Sequence, residues 1–470
     1  MEIIKLPIQI LFAALGCLTL ILSIPLFFRF HWPAAVMWVI KLYVSALSPL
    51  LTLVGILTVI TGLVTGSVFI SLTGIFVVSI YIIHIVSVTR PPGLSANFDN
   101  AFGLDWEKHV PPEQKTHFLG GRTTLLLPSV PKPRLQQNIS FAVIPGTQRQ
   151  LLCDVWQPPE NISPSGVAFI YLHGSAFYIL DKDYGTRPFF SHLAAQGHVI
   201  MDVAYRLAPE TDIMGMVQDA KRAIIWMKEH ANSYGVNADH IVIGGGSAGG
   251  HLALLTAYTS HDPRFTPSDL AGKDISVCGV ISLYGTSDLK ALYYHTNQHL
   301  TTRAIPGRPK KSVPAKMPGW IIRSMGEDYH RLGFDKGFEN VGALAALLGG
   351  HPDECPERYA LLSPVTHVHP DCPATLLVHG EHDIMASVRA TRRLYSRLLR
   401  NNIRVMLHIL PQTDHAFDLV VPKISPSAHN ALYDVERFMA LMAFEKRKVQ
   451  DRTNVNKGNI SATEQAELIQ

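Results

Sequence analysis

Gly245-Gly246-Ser247-Ala248-Gly249 fits G-x-S-x-G, a pattern that sets a serine hydroxyl on a tight strand-to-helix turn. The pentapeptide alone is a weak signal; its surroundings make it specific. The apolar run His240-Ile241-Val242-Ile243 leads in, and the helical run His251-Leu252-Ala253-Leu254-Leu255 leads out. Small residues at 245 and 249 let strand and helix approach closely enough to strain the turn and expose the hydroxyl. A phosphate loop would need a Gly-Lys-Ser/Thr ending, which is absent. Ser247 is therefore read as a nucleophile.

A serine hydroxyl needs a base, and the base needs a carboxylate to orient it. On a strand–Ser–helix turn of this kind the partners follow in the order acid, then His. Asp383 closes His379-Gly380-Glu381-His382-Asp383, just past the apolar strand Thr375-Leu376-Leu377-Val378. His415 sits in Gln412-Thr413-Asp414-His415-Ala416-Phe417, just past the strand 405–410. The competing reading of Asp383 is a helix N-cap. Glu381 and Asp414 are rival acids, but Asp414 directly precedes His415 and is poorly placed to bend back to its ring. Donors for a developing oxyanion are expected in Tyr171-Leu172-His173-Gly174-Ser175-Ala176-Phe177, after the third strand. The backbone N–H groups of Ser175, Ala176 and Ala248 are the candidates, with His173 and Gly174 shaping the loop. The pairs His379/His382 and His367/His369 lack a third ligand, so no metal site is expected, and this chemistry calls for no cofactor.

Elements must hold these three loops on one rim. Candidate strands fall at 139–145, 150–157, 167–172, 198–204, 240–245, 277–284, 374–379 and 404–410, and candidate helices at 186–196, 213–234, 248–260, 386–401 and 426–446. The alternation predicts an α/β architecture: a mostly parallel eight-stranded sheet with helices on both faces, begun by an antiparallel pair joined at Pro145-Gly146. Residues 286–362 break the rhythm. They carry a Pro/Lys-rich segment at 306–318 and helical patterns at 319–325 and 340–349, and are expected to form a cap insertion over the strand ends, where open α/β sheets bind ligands. The catalytic domain is expected over 138–446, a linker and lead-in over 91–137, and a polar disordered tail over 447–470.

The first 90 residues differ from the rest. Between Pro7 and Val88 the only charged residues are Arg29 and Lys41. Residues 7–28 are long enough to cross a bilayer as a helix, and 42–88 hold enough for two more, with Thr61-Gly62 and Thr65-Gly66 marking a turn. The first run is too long for a signal peptide's apolar core. Residues 1–90 are therefore expected to be a transmembrane anchor of two to three helices, in the endoplasmic reticulum or another internal membrane. An anchor of this kind should be separable from turnover of a soluble substrate. Basic residues on the loops favour a cytosolic catalytic domain, while the sequons at Asn138 and Asn459 favour a luminal one. Charges nearly balance, Lys+Arg 41 against Asp+Glu 37, which gives no basis for nucleic-acid binding. Five scattered cysteines without a CxxC pair argue against a disulfide framework or zinc site.

Over residues 139–445 these motifs together resemble the hormone-sensitive-lipase-like branch of the α/β-hydrolase superfamily, which includes arylacetamide deacetylases and related carboxylesterases. The resemblance rests on Gly245–Gly249 and its extension to Ala253, on Tyr205-Arg206-Leu207-Ala208-Pro209-Glu210, and on Gln218-Asp219-Ala220 leading to Trp226. The branch's HGGG loop reads here as His173-Gly174-Ser175-Ala176, a departure at two glycines. The acid segment looks more like the Gly-x-x-Asp pattern of peptidase-like and feruloyl-esterase-like relatives. Ile213-Met214-Gly215-Met216-Val217-Gln218-Asp219 is similar to prenylcysteine methylesterases, which are also membrane-bound. The resemblance implies a serine esterase or lipase acting on a small-molecule or lipid ester. The alternatives are a prenylcysteine methylesterase-like enzyme, an amide or formamide hydrolase, and a non-catalytic ligand-binding receptor on the same fold.

Overall fold

A computed structural model describes residues 2–29, 34–299 and 343–444. Eight strands form one sheet in the order β1-β2-β4-β3-β5-β6-β7-β8. They are β1 (Arg134–Val143), β2 (Gln150–Gln157), β3 (Gly166–Leu172), β4 (Val199–Ala204), β5 (Val236–Gly246), β6 (Gly279–Leu283), β7 (Ala374–Gly380) and β8 (Val405–Leu410). β2 runs antiparallel to both β1 and β4, and every pairing from β4 through β8 is parallel. The expected α/β-hydrolase fold is the one observed.

The parallel strands are buried on both faces, which is why they read as continuous apolar runs rather than alternating ones. In β3, Ala168, Ile170 and Leu172 enter one core cluster, while Val167, Phe169 and Tyr171 enter the other. Ten helices of eight or more residues are described: α1 (Glu2–Phe27), α2 (Ala34–Ala46), α3 (Ser48–Thr65), α4 (Val68–Val88), α5 (Arg187–Ala194), α6 (Ile213–Glu229), α7 (Ala248–Tyr258), α8 (Leu289–His299), α9 (Val388–Arg400) and α10 (Pro426–Met442). The chain leaves β3 toward β4 on one side and leaves β5 toward β6 on the other. A crevice therefore opens beyond the carboxyl ends of β3 and β5, where the order of strands reverses.

Differences from the expected elements are local. β1 starts at Arg134, inside the expected lead-in, because Arg134, Leu135 and Gln136 already pair with Gln157, Trp156 and Val155 before a register shift at Gln136/Ile139. The helix expected over 213–234 stops at Glu229, where the His230 ring folds back on Trp226 and its Nδ1 meets the Trp226 carbonyl oxygen at 2.8 Å. Of the expected cap, the described residues form α8 and two short helices, Ala343–Leu348 and Pro356–Leu361. The Pro/Lys-rich segment 306–318, the helical pattern 319–325 and the tail from 447 lie outside the described residues.

Three N-terminal helical stretches, Lys5–Phe27, Ser48–Thr65 and Val68–Val88, are long and apolar enough to cross a membrane. α2 was not anticipated. Its 13 residues span about 20 Å, short of a bilayer's roughly 30 Å core, and it packs against both α1 and α10.

Candidate active site

The turn after β5 is strained in the way its sequence implied. Ser247 adopts φ 54° and ψ −121°, a region that side-chain-bearing residues rarely occupy. The conformation is enforced by crowding. A Cβ at Gly245 would lie 2.1 Å from the Leu172 carbonyl oxygen, and one at Gly249 would lie 1.9 Å from the same atom. Only hydrogen at both positions lets α7 start this close to the end of β3. The Ser247 N–H donates to the Leu283 carbonyl at 2.9 Å, which pins the turn to β6 and leaves the hydroxyl facing the crevice.

The three side chains singled out by chain order meet there. Ser247 Oγ lies 2.8 Å from His415 Nε2, and His415 Nδ1 lies 2.8 Å from Asp383 Oδ2. Asp383 lies in the loop that follows β7, and its Oδ1 accepts the N–H groups of Met385 and Ala386 at 2.8 and 2.7 Å. The carboxylate therefore fastens its own turn and orients the imidazole at once; the N-cap of α9 is Ser387, so the helix-cap reading of Asp383 gives way. Burial disfavours its charge, but His415 and His379 outweigh this and hold it well below the usual carboxylate range. Burial likewise lowers the His415 imidazole, and the Asp383 carboxylate more than offsets it, so the net shift is upward. An ionised acid beside an imidazole whose basicity it raises is suited to taking the proton from a serine.

The loop after β3 supplies candidate donors. Among the described residues, the N–H groups of Ser175, Ala176 and Ala248 meet no acceptor. Gly174 brings this loop against the nucleophile turn: a Cβ there would lie 3.3 Å from the Gly246 carbonyl oxygen and 3.4 Å from Ser247 Cβ. The two departures from glycine are handled differently. Ser175 is buried and its Oγ is used internally, accepting the Phe177 N–H at 3.0 Å and lying 2.7 Å from the Tyr205 hydroxyl. Tyr205 in turn donates to the His173 carbonyl at 2.8 Å and stacks on the His173 ring. Ala176 simply takes the left-handed backbone, at φ 48°.

Several supporting residues escaped the sequence reading. His379 Nε2 lies 3.3 Å from Asp383 Oδ2 and 3.2 Å from the Ala386 carbonyl, while Thr391 Oγ1 holds its Nδ1 at 3.0 Å. The Tyr284 ring packs edge-on to His415 at 4.7 Å, and its hydroxyl donates to Asp418. Burial pushes the Asp418 carboxyl up to about 6. The four-residue spacing of His379 and Asp383 was visible in the sequence; nothing there marked Tyr284. Asp414, set aside as the acid, accepts the His415 N–H at 2.8 Å and the Ile384 N–H at 3.1 Å, tying the base loop to the acid loop. Glu381 meets this site through its backbone, its carbonyl accepting from Arg29. Among the described residues no cluster of three or more His, Cys, Asp or Glu side chains is arranged to hold a metal.

Comparison with known proteins adds an independent view. Residues 153–317, which hold the 173–176 loop and Ser247, match the BD-FAE family model; residues 343–450, which hold Asp383 and His415, match the Prolyl oligopeptidase family. The chain is 28% identical over 292 residues to the probable carboxylic ester hydrolase LipM of Mycobacterium tuberculosis, covering 61% of this chain and 57% of that protein. It is 28% identical over 350 residues to the esterase LipQ of the same organism, covering 73% of each. It thus spans little more than half of LipM. Among solved structures it is similar to esterase B of Lactobacillus rhamnosis, with a TM-score of 0.48 and 18% identity over 67% of this chain and 88% of that one.

Proposed function

We propose that this chain, a member of the α/β-hydrolase superfamily in its hormone-sensitive-lipase-like carboxylesterase branch, is a membrane-anchored serine hydrolase that cleaves carboxylic esters of apolar or lipid-like substrates. The observation that carries the reading is the unbroken series Ser247 Oγ, His415, Asp383, with both hydrogen bonds at 2.8 Å. Ser247 attacks the ester carbonyl while His415 Nε2 takes its proton, and Asp383 stabilises the imidazolium. The N–H groups of Ser175, Ala176 and Ala248 receive the oxyanion, each such donor contributing about 3 kcal/mol to the transition state. His415 then protonates the departing alcohol as the C–O bond breaks. Water, deprotonated by the same nitrogen, attacks the acyl-enzyme and releases the acid, restoring Ser247. No metal or other cofactor enters any step.

Apolar substrates follow from the location. A catalytic domain carried on helices of the length and composition of Lys5–Phe27, Ser48–Thr65 and Val68–Val88 works beside a lipid phase that concentrates hydrophobic esters. The expected setting is an internal membrane such as the endoplasmic reticulum. A fluorophosphonate probe should label the full-length protein, and Ser247→Ala should abolish both labelling and ester turnover. An acyl-chain series should favour long or bulky apolar acyl groups over acetate. Absence of labelling in the parent protein sinks the hydrolase, whereas labelling with preference for short water-soluble esters sinks only the substrate class.

A further inference from the structure

We infer that the N-terminal helices belong to the catalytic apparatus, with Lys41 of α2 a positioning residue that acts through Asp414 to hold His415 against Ser247. The inference rests on the esterase reading above and adds to it a dependence on the membrane segment. Lys41 is 2% exposed, on a helix otherwise free of charge. A buried ammonium costs several kcal/mol unless it is paired, and the groups around it belong largely to the active-site loops. Its Nζ lies 2.7 Å from His382 Nδ1, 3.3 Å from the Phe28 carbonyl oxygen and 3.8 Å from Asp414 Oδ2. His382 directly precedes Asp383. Asp414 holds the N–H of His415 and that of Ile384 on its other oxygen, so a single carboxylate fastens the base loop to the acid loop.

Three further contacts from the helical segment converge on the same two loops. The Trp38 indole N–H donates to the carbonyl of His415 itself at 3.1 Å. Arg29 donates to the Glu381 carbonyl. His84 Nδ1 lies 2.8 Å from Gln412 Oε1. The His415 loop has reason to need such support. Gln412 and Ala416 both hold left-handed backbone, at φ 55° and 62°, and strain of that kind persists only where the surroundings over-determine it. With Lys41 gone, the Asp414 carboxylate would be a buried charge without its compensating partner, would be driven toward its neutral form, and would become a weaker acceptor for the two N–H groups it ties together. The expectation that the anchor is separable from turnover therefore gives way to its opposite.

The test uses the full-length protein in detergent or lipid nanodiscs and a soluble short-chain ester. Lys41→Met should lower kcat by about 30- to 100-fold with KM changed less than about threefold, since a 1 Å displacement of a catalytic group costs about that much. Fluorophosphonate labelling should slow by a similar factor. Lys41→Arg, which keeps the charge, should recover most of the loss. Because Lys41 acts through Asp414, the double variant Lys41→Met/Asp414→Asn should be no slower than Asp414→Asn alone. A Lys41→Met enzyme with kcat within about threefold of the parent, or losses that multiply in the double variant, overturns the inference. If these variants do not accumulate folded, Trp38→Phe decides: a kcat loss of about fivefold or more at unchanged KM supports the inference, and unchanged kcat overturns it. An inactive, unlabelled parent protein would instead mark failure of the esterase reading.

Discussion

His379 and His415 meet the same oxygen of Asp383, Oδ2, at 3.3 and 2.8 Å. The carboxylate is thus gripped by two imidazoles on one oxygen and two backbone N–H groups on the other. A charge-assisted donor of this kind contributes about 1.5–3 kcal/mol. Replacing this donor with one of shorter reach, His379→Asn, should lower kcat by about tenfold or more while Ser247 still labels. Full activity in that variant would reduce His379 to a packing role.

Acid pH should inhibit through His415. Its neutral form is the working base, and Asp383 raises its pKa above the ordinary value of about 6.5. The rate kcat/KM should therefore climb with pH, reach half its plateau above about pH 6.5, and level off beyond. In Asp383→Asn the raising charge is gone while burial still lowers the imidazole. The midpoint should move to lower pH, and the plateau should fall on the order of 10³- to 10⁴-fold. A midpoint that stays put or rises would mean another group governs the profile.

Stability should also carry a pH signature away from the site. Asp202 on β4 sits directly opposite Asp154 on β2, both fully buried, and burial pushes the Asp202 carboxyl up to about 8. In the unfolded chain it ionises near 3.9. Between these values the folded state binds the extra proton, so stability falls as pH rises from about 4 to about 8 and is constant above. Asp202→Asn keeps an acceptor for the Asp183 N–H, now 2.7 Å away, and removes the titration. At pH 8 the variant should be more stable than the parent by about 1 kcal/mol or more, with the difference shrinking toward pH 4. Equal melting temperatures at both pH values would contradict this.

Ala176 offers a test of the oxyanion loop. Left-handed backbone costs an alanine about 1 kcal/mol, which glycine avoids, although glycine also loses more chain entropy on folding. Ala176→Gly should therefore leave kcat and melting temperature nearly unchanged. Ala176→Val, β-branched where φ is 48°, should distort the loop and cut kcat by about tenfold or more. Comparable rates for the two variants would remove this loop from oxyanion binding.

Crowding at the nucleophile turn is the most severe constraint. A methyl at position 249 would sit 1.9 Å from the Leu172 carbonyl oxygen. Gly249→Ala should destabilise the catalytic domain by about 3 kcal/mol or prevent folding. Gly120→Ala, where an added Cβ meets nothing within 4 Å, serves as the control and should be silent.

What the sequence determined by itself was periodicity, punctuation and chain order. Apolar runs between helical patterns marked eight strands within a few residues, because strands buried on both faces must be apolar throughout. The glycines at 245 and 249 announced a close approach, and the order Ser, Asp, His narrowed the search to Ser247, Asp383 and His415. Tertiary structure alone decided what lies between elements distant in the chain. His379 joins Asp383 because β7 ends in a tight turn, and Tyr284 reaches His415 because β6 and β8, whose trailing loops carry them, flank β7. Trp38 and Lys41 meet the His415 loop across more than 370 residues of sequence. Such contacts leave no local periodicity: a lysine in an apolar stretch reads the same whether it snorkels to a membrane surface or is buried against a carboxylate, and only packing distinguishes them.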